Sequence, residues 1–111
     1  MLSECRKALR IVSTEYDGEL CGLMDAAAHD LTIAGVTLPG TVAFAVTQSG
    51  ITDSSTLTDA LCMRAIFTYV RMHFGSPNDY ERLKESYSIQ KTQLMHATGY
   101  TDYGGTESDA E

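Results

Sequence analysis

"NDYERLKESYSIQKTQL" (residues 78–94) sets Tyr80, Leu83, Tyr87, Gln90 and Leu94 at spacings of three and four, a stripe that Ala97 continues. Glu81, Lys84, Glu85 and Lys91 fall on the other side, so the stretch reads as one amphipathic helix. A helix of this length spans about 25 Å, which is long for a chain of 111 residues. Its inner face is unusual in being partly polar. Tyrosine hydroxyls need partners when they are buried, and Gln90 stands where a hydrophobe is expected. Such residues belong either to a core edge or to a specific contact with a neighbouring subunit. Just upstream, "GSPN" (75–78) turns the chain, because Pro77 disfavours helix at Ser76. Asn78, with Glu81 three residues on, has the pattern of an N-cap and capping box.

Upstream of that corner, Leu57, Leu61, Ile66, Tyr69, Val70 and His73 form a second helical stripe starting after Ser55 and Thr56, and Phe67 and Met72 widen it. A helix apolar on more than one side is central, or it lies against another subunit. Leu20, Leu23, Met24, Ala27 and Leu31 mark a third helix. Thr14 and Asp17 have a capping-box spacing before it, and Gly35 is placed to end it in the left-handed conformation. A short first helix, "ECRKALRI", is expected after Ser3 as N-cap, with Cys5 and Leu9 inward.

Residues 36–57, "VTLPGTVAFAVTQSGITDSSTL", break the helical period with Pro39, Gly40 and Gly50. Val42, Phe44 and Val46 alternate with smaller or polar residues, which suits either a packed hairpin or a projecting arm. Connections this long are uncommon in small helical domains and are usually functional or mobile. Gly99 is placed to cap the last helix, and residues 98–111 are acidic, Gly-rich and poor in apolar side chains. Ordering these fourteen residues costs on the order of 14–28 kcal/mol of backbone entropy. Burying Tyr100 and Tyr103 returns roughly 8–12 kcal/mol. A mobile tail follows, ordered only if a partner supplies pockets and a strand edge.

The expected fold is therefore all-α. It is a small bundle of about four helices over residues 1–97, with 36–57 as a long middle loop or short β-hairpin and 98–111 as a flexible tail. Length allows one domain. Fifteen acidic against eight basic residues give a formal charge of −7, which opposes binding to phosphate backbones. Arg6, Lys7 and Arg10 are a local exception, read as a solvated helix face with a partner-docking patch as the alternative.

Cys5, Cys21 and Cys62 are odd in number and irregularly spaced, which argues against a disulfide framework and for a reducing compartment. In helical patterns they read as small buried hydrophobes rather than nucleophiles. His29, His73 and His96 lack metal-ligand spacing, and no phosphate loop, nucleophile elbow or dinucleotide fingerprint occurs. No catalytic residue, metal or cofactor is expected. No apolar run is long enough for a membrane span and no signal core is present, so synthesis in the cytoplasm is expected.

The order of phrases resembles the small head-tail connector (head-completion or adaptor) proteins of long-tailed bacteriophages. The phrases are "LRI" (9–11), the helix Leu20–Leu31 with its "LMDAAAHDL", "A.F.YV..HFG" within 65–75, "DYERL" (79–83) and "QLMHATGYTDYG" (93–104). The resemblance implies a structural virion protein at the head-tail neck. About twelve copies would form a closed ring beneath the portal and extend the DNA channel toward a stopper or tail-terminator neck protein. Genomic DNA would pass without specific binding, and no membrane is involved.

By the same resemblance, the tail, with Tyr100, Thr101, Asp102 and Tyr103, docks the portal. The middle segment, with Val42, Phe44 and Val46, faces the channel or the next neck protein. That segment is longer and more apolar here than in many relatives. Leu61, Ile66, Tyr69, Val70, Tyr80, Leu83, Tyr87 and Leu94 are then core or subunit-interface positions. A rival from another class is a small cytoplasmic helical regulator, DNA-binding or terminase-associated, with a helix-turn-helix at "FGSPNDYERL" (74–83). Asp79, Glu81 and Glu85 beside Arg82 and Lys84 leave that corner little positive charge to offer a groove.

Overall fold

The computed structural model describes residues 1–75 and 77–96. Its elements are α1 (Leu2–Ala8), α2 (Asp17–Ile33), β1 (Phe44–Thr47), β2 (Gly50–Asp53), α3 (Ala60–His73) and α4 (Tyr80–His96). The molecule is mostly helical, as the periodicity predicts, and of the two alternatives for the middle segment it takes the short β-hairpin, a departure from an all-α fold. Residues 44–53 form a two-stranded antiparallel sheet with Phe44 opposite Asp53 and Thr47 opposite Gly50. The middle segment is a hairpin, closed by Gln48 and Ser49.

α3 is the central element and packs on both α2 and α4. Its side chains Cys62, Ala65, Ile66 and Val70 are buried, against Leu20, Met24 and Leu31 of α2 and Leu83, Tyr87 and Leu94 of α4. Each fully buried Leu, Ile or Val contributes roughly 1.5–3 kcal/mol, so this layer is the main source of stability. α1 closes the core with Leu2 and Cys5.

The helix ends show which local signals the fold uses. α2 stops where Gly35 predicts: Gly35 has φ +98, its N–H donates to Thr32 O, and the Val36 N–H donates to Leu31 O. That is a Schellman arrangement, with the buried pair Val36 and Leu31 as its apolar contact. The expected starts are less faithful. α1 begins at Leu2 after Met1, so Ser3 lies inside the helix. α2 begins after Tyr16 with no side-chain cap, and Thr14 receives the Asp17 N–H on its backbone oxygen instead of forming a capping box.

α3 begins at Ala60, later than Ser55 and Thr56 suggest, because Asp59 caps it by accepting the Cys62 N–H at 3.0 Å. α4 begins at Tyr80, and the Leu83 N–H bonds Asp79 O, which makes Asp79 rather than Asn78 the N-cap.

Leu57 is buried, but ahead of α3 and not as part of a helix. The reason is the base of the hairpin. Thr41 N–H donates to Thr56 Oγ1 at 2.8 Å and Leu57 N–H donates to Thr41 O at 3.1 Å. The two backbones approach so closely that a Cβ on Gly40 would stand 2.6 Å from the Leu57 Cα, so only glycine fits.

Asp53 at the end of β2 fastens the hairpin to α1. Its Oδ2 accepts from the N-terminal ammonium at 2.7 Å and the Leu2 N–H at 2.8 Å, and its Oδ1 accepts from the Ser55 N–H at 3.1 Å. A seven-residue helix is too short to persist alone. The carboxylate supplies the cap that Met1 lacks and meets the positive end of the helix dipole. Burial by itself would raise the Asp53 pKa, but these donors outweigh it and hold the carboxyl well below its usual value.

Asp53→Asn is expected to cost about 1.5–3 kcal/mol at neutral pH, measured by urea unfolding. Since the folded carboxyl titrates below the ordinary 3.8, its contribution is complete above about pH 4 and fades as pH falls toward the folded value. The gap between wild type and variant should therefore close in acid.

Candidate assembly surfaces

The partly polar face of α4 packs inside the subunit. Tyr87 is buried, and its hydroxyl donates to Asp30 Oδ2 of α2 at 2.6 Å. Lys91 Nζ donates to the same oxygen at 3.2 Å and lies 5.3 Å from the Tyr87 ring centre. Burial first, and then the bond to Asp30, push the Tyr87 phenol above its ordinary value of 10.0. Burial opposes ionisation of Asp30, yet the bonds from Tyr87 and Lys91 keep its carboxyl below the usual value. Tyr69 of α3 meets the Tyr87 ring edge-on at 5.4 Å and His73 at 4.4 Å, and His73 faces Tyr80 at 6.4 Å. An aromatic seam thus runs from the core to the α3–α4 corner.

The sequence-predicted residues separate into two groups. Ile66, Val70, Leu83, Tyr87 and Leu94 are core, and Tyr69 is half-buried beside them. Leu61, 52 % exposed, and Tyr80 lie at the surface, because Asp59 starts α3 in a register that turns Cys62 inward. In the hairpin, Val42 and Phe44 lean on the core while Val46 is 83 % exposed. Strand alternation puts Phe44 and Val46 on one face, but the core reaches only the first. Tyr100, Thr101, Asp102 and Tyr103 lie outside the described residues.

Of the basic trio, Arg6 pairs with Asp17 at 3.0 Å and ties α1 to α2, whereas Lys7 and Arg10 are exposed. The sequence reasoning missed a larger basic feature. A groove of about 590 Å³ runs over α3 between α1 and α4, its apolar floor made by Ala8, Met63, Phe67 and Leu83. Arg64, Arg71 and Arg82 stand along it. Arg71 donates to Ala8 O and Arg82 pairs with Asp79, while Arg64 makes no ion pair among the described residues. Gln90, a residue only 8 % exposed, lines this groove, and its Oε1 has no hydrogen-bond partner among the described residues. The seven-residue spacing of Arg64 and Arg71, one face of one helix, was the visible signal. Arg82 joins them only through the α3–α4 corner.

The three cysteines are buried and unpaired. Burial pushes the thiols of Cys5 and Cys62 up to about 12 and that of Cys21 up to about 11, leaving almost no thiolate near neutrality. Among the described residues no cluster of His, Cys, Asp or Glu could hold a metal ion, and no helix is long and apolar enough to cross a membrane.

The family model described as phage connector protein matches residues 1–101. No curated protein and no solved structure matches the chain.

Tyr87→Phe leaves Asp30 with Lys91 alone and is expected to destabilise the fold by about 1.5–3 kcal/mol in chemical denaturation. Alkylation of Cys5, Cys21 and Cys62, followed by mass spectrometry, should be slow in the native protein and fast in urea.

Proposed function

We propose, from the premise that this chain belongs to the phage connector protein family, that it assembles as a ring of about twelve copies beneath the portal. The family is a structural one of the virion and acts with other head and tail proteins. The ring extends the DNA channel toward a stopper or tail-terminator protein. The observation that carries this reading is the apolar surface left over after the subunit core is complete. Ile33, Val46, Leu61 and Ile89 are all exposed, on three different elements and the hairpin, and a closed ring of heterologous contacts covers such scattered surface.

The hairpin is the channel-facing or neck-facing element, with Val42 and Phe44 anchoring it and Val46 outermost. From Phe44 to Thr52 it carries no charged residue, so it offers passing DNA nothing to grip. The net charge of −7 acts in the same direction and leaves DNA unbound. The tail from Thr98, with Tyr100, Thr101, Asp102 and Tyr103, is the portal-docking segment. Its entropy cost makes it an element that orders on its partner. Family membership favours this role over the helix-turn-helix regulator, as does Arg82 at that corner, whose charge is committed to Asp79.

Imaging by negative stain after mixing the protein with portal-bearing heads tests the reading, with a collar of density at the vertex as the expected result. Truncation before Thr98 should leave the helical circular dichroism unchanged and reduce collar occupancy at least tenfold. Full occupancy by the truncated chain would remove the docking role from the tail.

A further inference from the structure

We propose that the groove over α3 receives the outer face of α2 from a neighbouring copy; this rests on the ring reading above and names the two faces that meet in it. Three independent features of the chain point to this pairing.

The first is charge. All eight basic residues lie in 6–10 and 64–91, and residues 11–63 contain seven acids, Glu15, Asp17, Glu19, Asp25, Asp30, Asp53 and Asp59, with no Lys or Arg. α2 is thus an acidic helix without a cation of its own apart from a protonated histidine, while the groove carries Arg64, which makes no ion pair among the described residues, and Arg71 beside it, with Arg82 paired to Asp79 and Glu4 the one acid in its lining. Asp17 and Asp30 are used inside the subunit. Glu19 and Asp25 remain on the outer face, both exposed.

The second is shape. The outward stripe of α2 runs Gly18, Gly22, Ala26, His29 and Ile33, all exposed, and a Cβ built on Gly18 or Gly22 meets nothing within 4 Å. Small residues let a helix backbone sit deep in a groove. Ile33, 84 % exposed, supplies an apolar end to meet the floor formed by Met63 and Phe67. On α3 the groove residues Met63, Arg64, Phe67 and Arg71 alternate by threes and fours opposite the buried Cys62, Ala65 and Ile66 that face the core. The groove and the outer face of α2 therefore lie on opposite sides of the subunit, the arrangement that a head-to-tail contact needs in order to close a ring.

The third is the unsatisfied amide. A buried acceptor without a partner is costly, and Gln90 Oε1 is such an atom at the edge of the groove. The oxygen is covered in the lone subunit, so a donor from the occupant, such as the imidazole N–H of His29, meets it only if the amide turns toward the groove on docking, which removes the cost in the assembled state alone.

The test uses the full chain, with collars counted on portal-bearing heads and association followed by sedimentation velocity. Arg64→Glu removes a side chain with no ion-pair partner among the described residues. Gly22→Leu enters open space and raises helix propensity, so both variants should fold, with circular dichroism as the control. Each should weaken copy-to-copy association at least tenfold. Asp25→Arg should do the same, and mixing Asp25→Arg with Arg64→Glu should restore collars above either alone, because the reversed charges then face one another. Wild-type collars from folded Arg64→Glu or Gly22→Leu, or no recovery in the mixture, would overturn the pairing of these faces and leave the ring standing. A wild-type chain that forms no ring would instead defeat the ring reading itself.

Discussion

Burial of α3 on two sides is the constraint from which the remaining structure follows. One face of this helix supplies Cys62, Ala65, Ile66 and Val70 to the layer shared with α2 and α4, and at roughly 1.5–3 kcal/mol per large side chain no surface interaction competes with it. Once α3 is fixed, α2 and α4 have only one way to lay their stripes. The opposite face of α3, with Met63, Arg64, Phe67 and Arg71, is left as the floor and wall of an open groove.

Carboxylates then fasten the periphery to this layer. Asp53 gathers the first turn of α1 and the chain after β2, Asp30 gathers Tyr87 and Lys91, and Asp17 gathers Arg6. In each case a partly buried acid is held by donors remote in sequence. Such pairs contribute little when exposed, but Asp53 and Asp30 are partly desolvated and accept from two or more donors each, which turns a weak contact into a positional one. The same habit explains how an acidic chain can be cohesive: the partly buried acids are answered, and exposed ones lie on the outer faces of α2 and α4.

For a virion connector this division of labour is useful. The subunit core is complete without the hairpin tip, the α2 stripe or the groove, so these surfaces are open to other phage head and tail proteins without disturbing the fold.

How much of this was legible follows from the range of each interaction. Period and composition depend only on neighbours in the chain, so the helices, the Schellman stop at Gly35, the buried cysteines and the amphipathic character of residues 78–94 could be read directly. Family membership was likewise legible from the order of short phrases such as "DYERL". Helix starts were misread because Ser3, Thr14, Thr56 and Asn78 have the right chemistry but lost the N-cap to residues placed by packing. Asp53 capping α1 from some fifty positions away is the extreme case.

Leu61 follows the helical period as well as Ile66 does, yet only the docking of α3 on α2 decides which of them is covered. The sequence alone determined what each segment would become; tertiary structure decided which faces were consumed and which remained, because burial is a property of pairs of surfaces and no single stretch contains both.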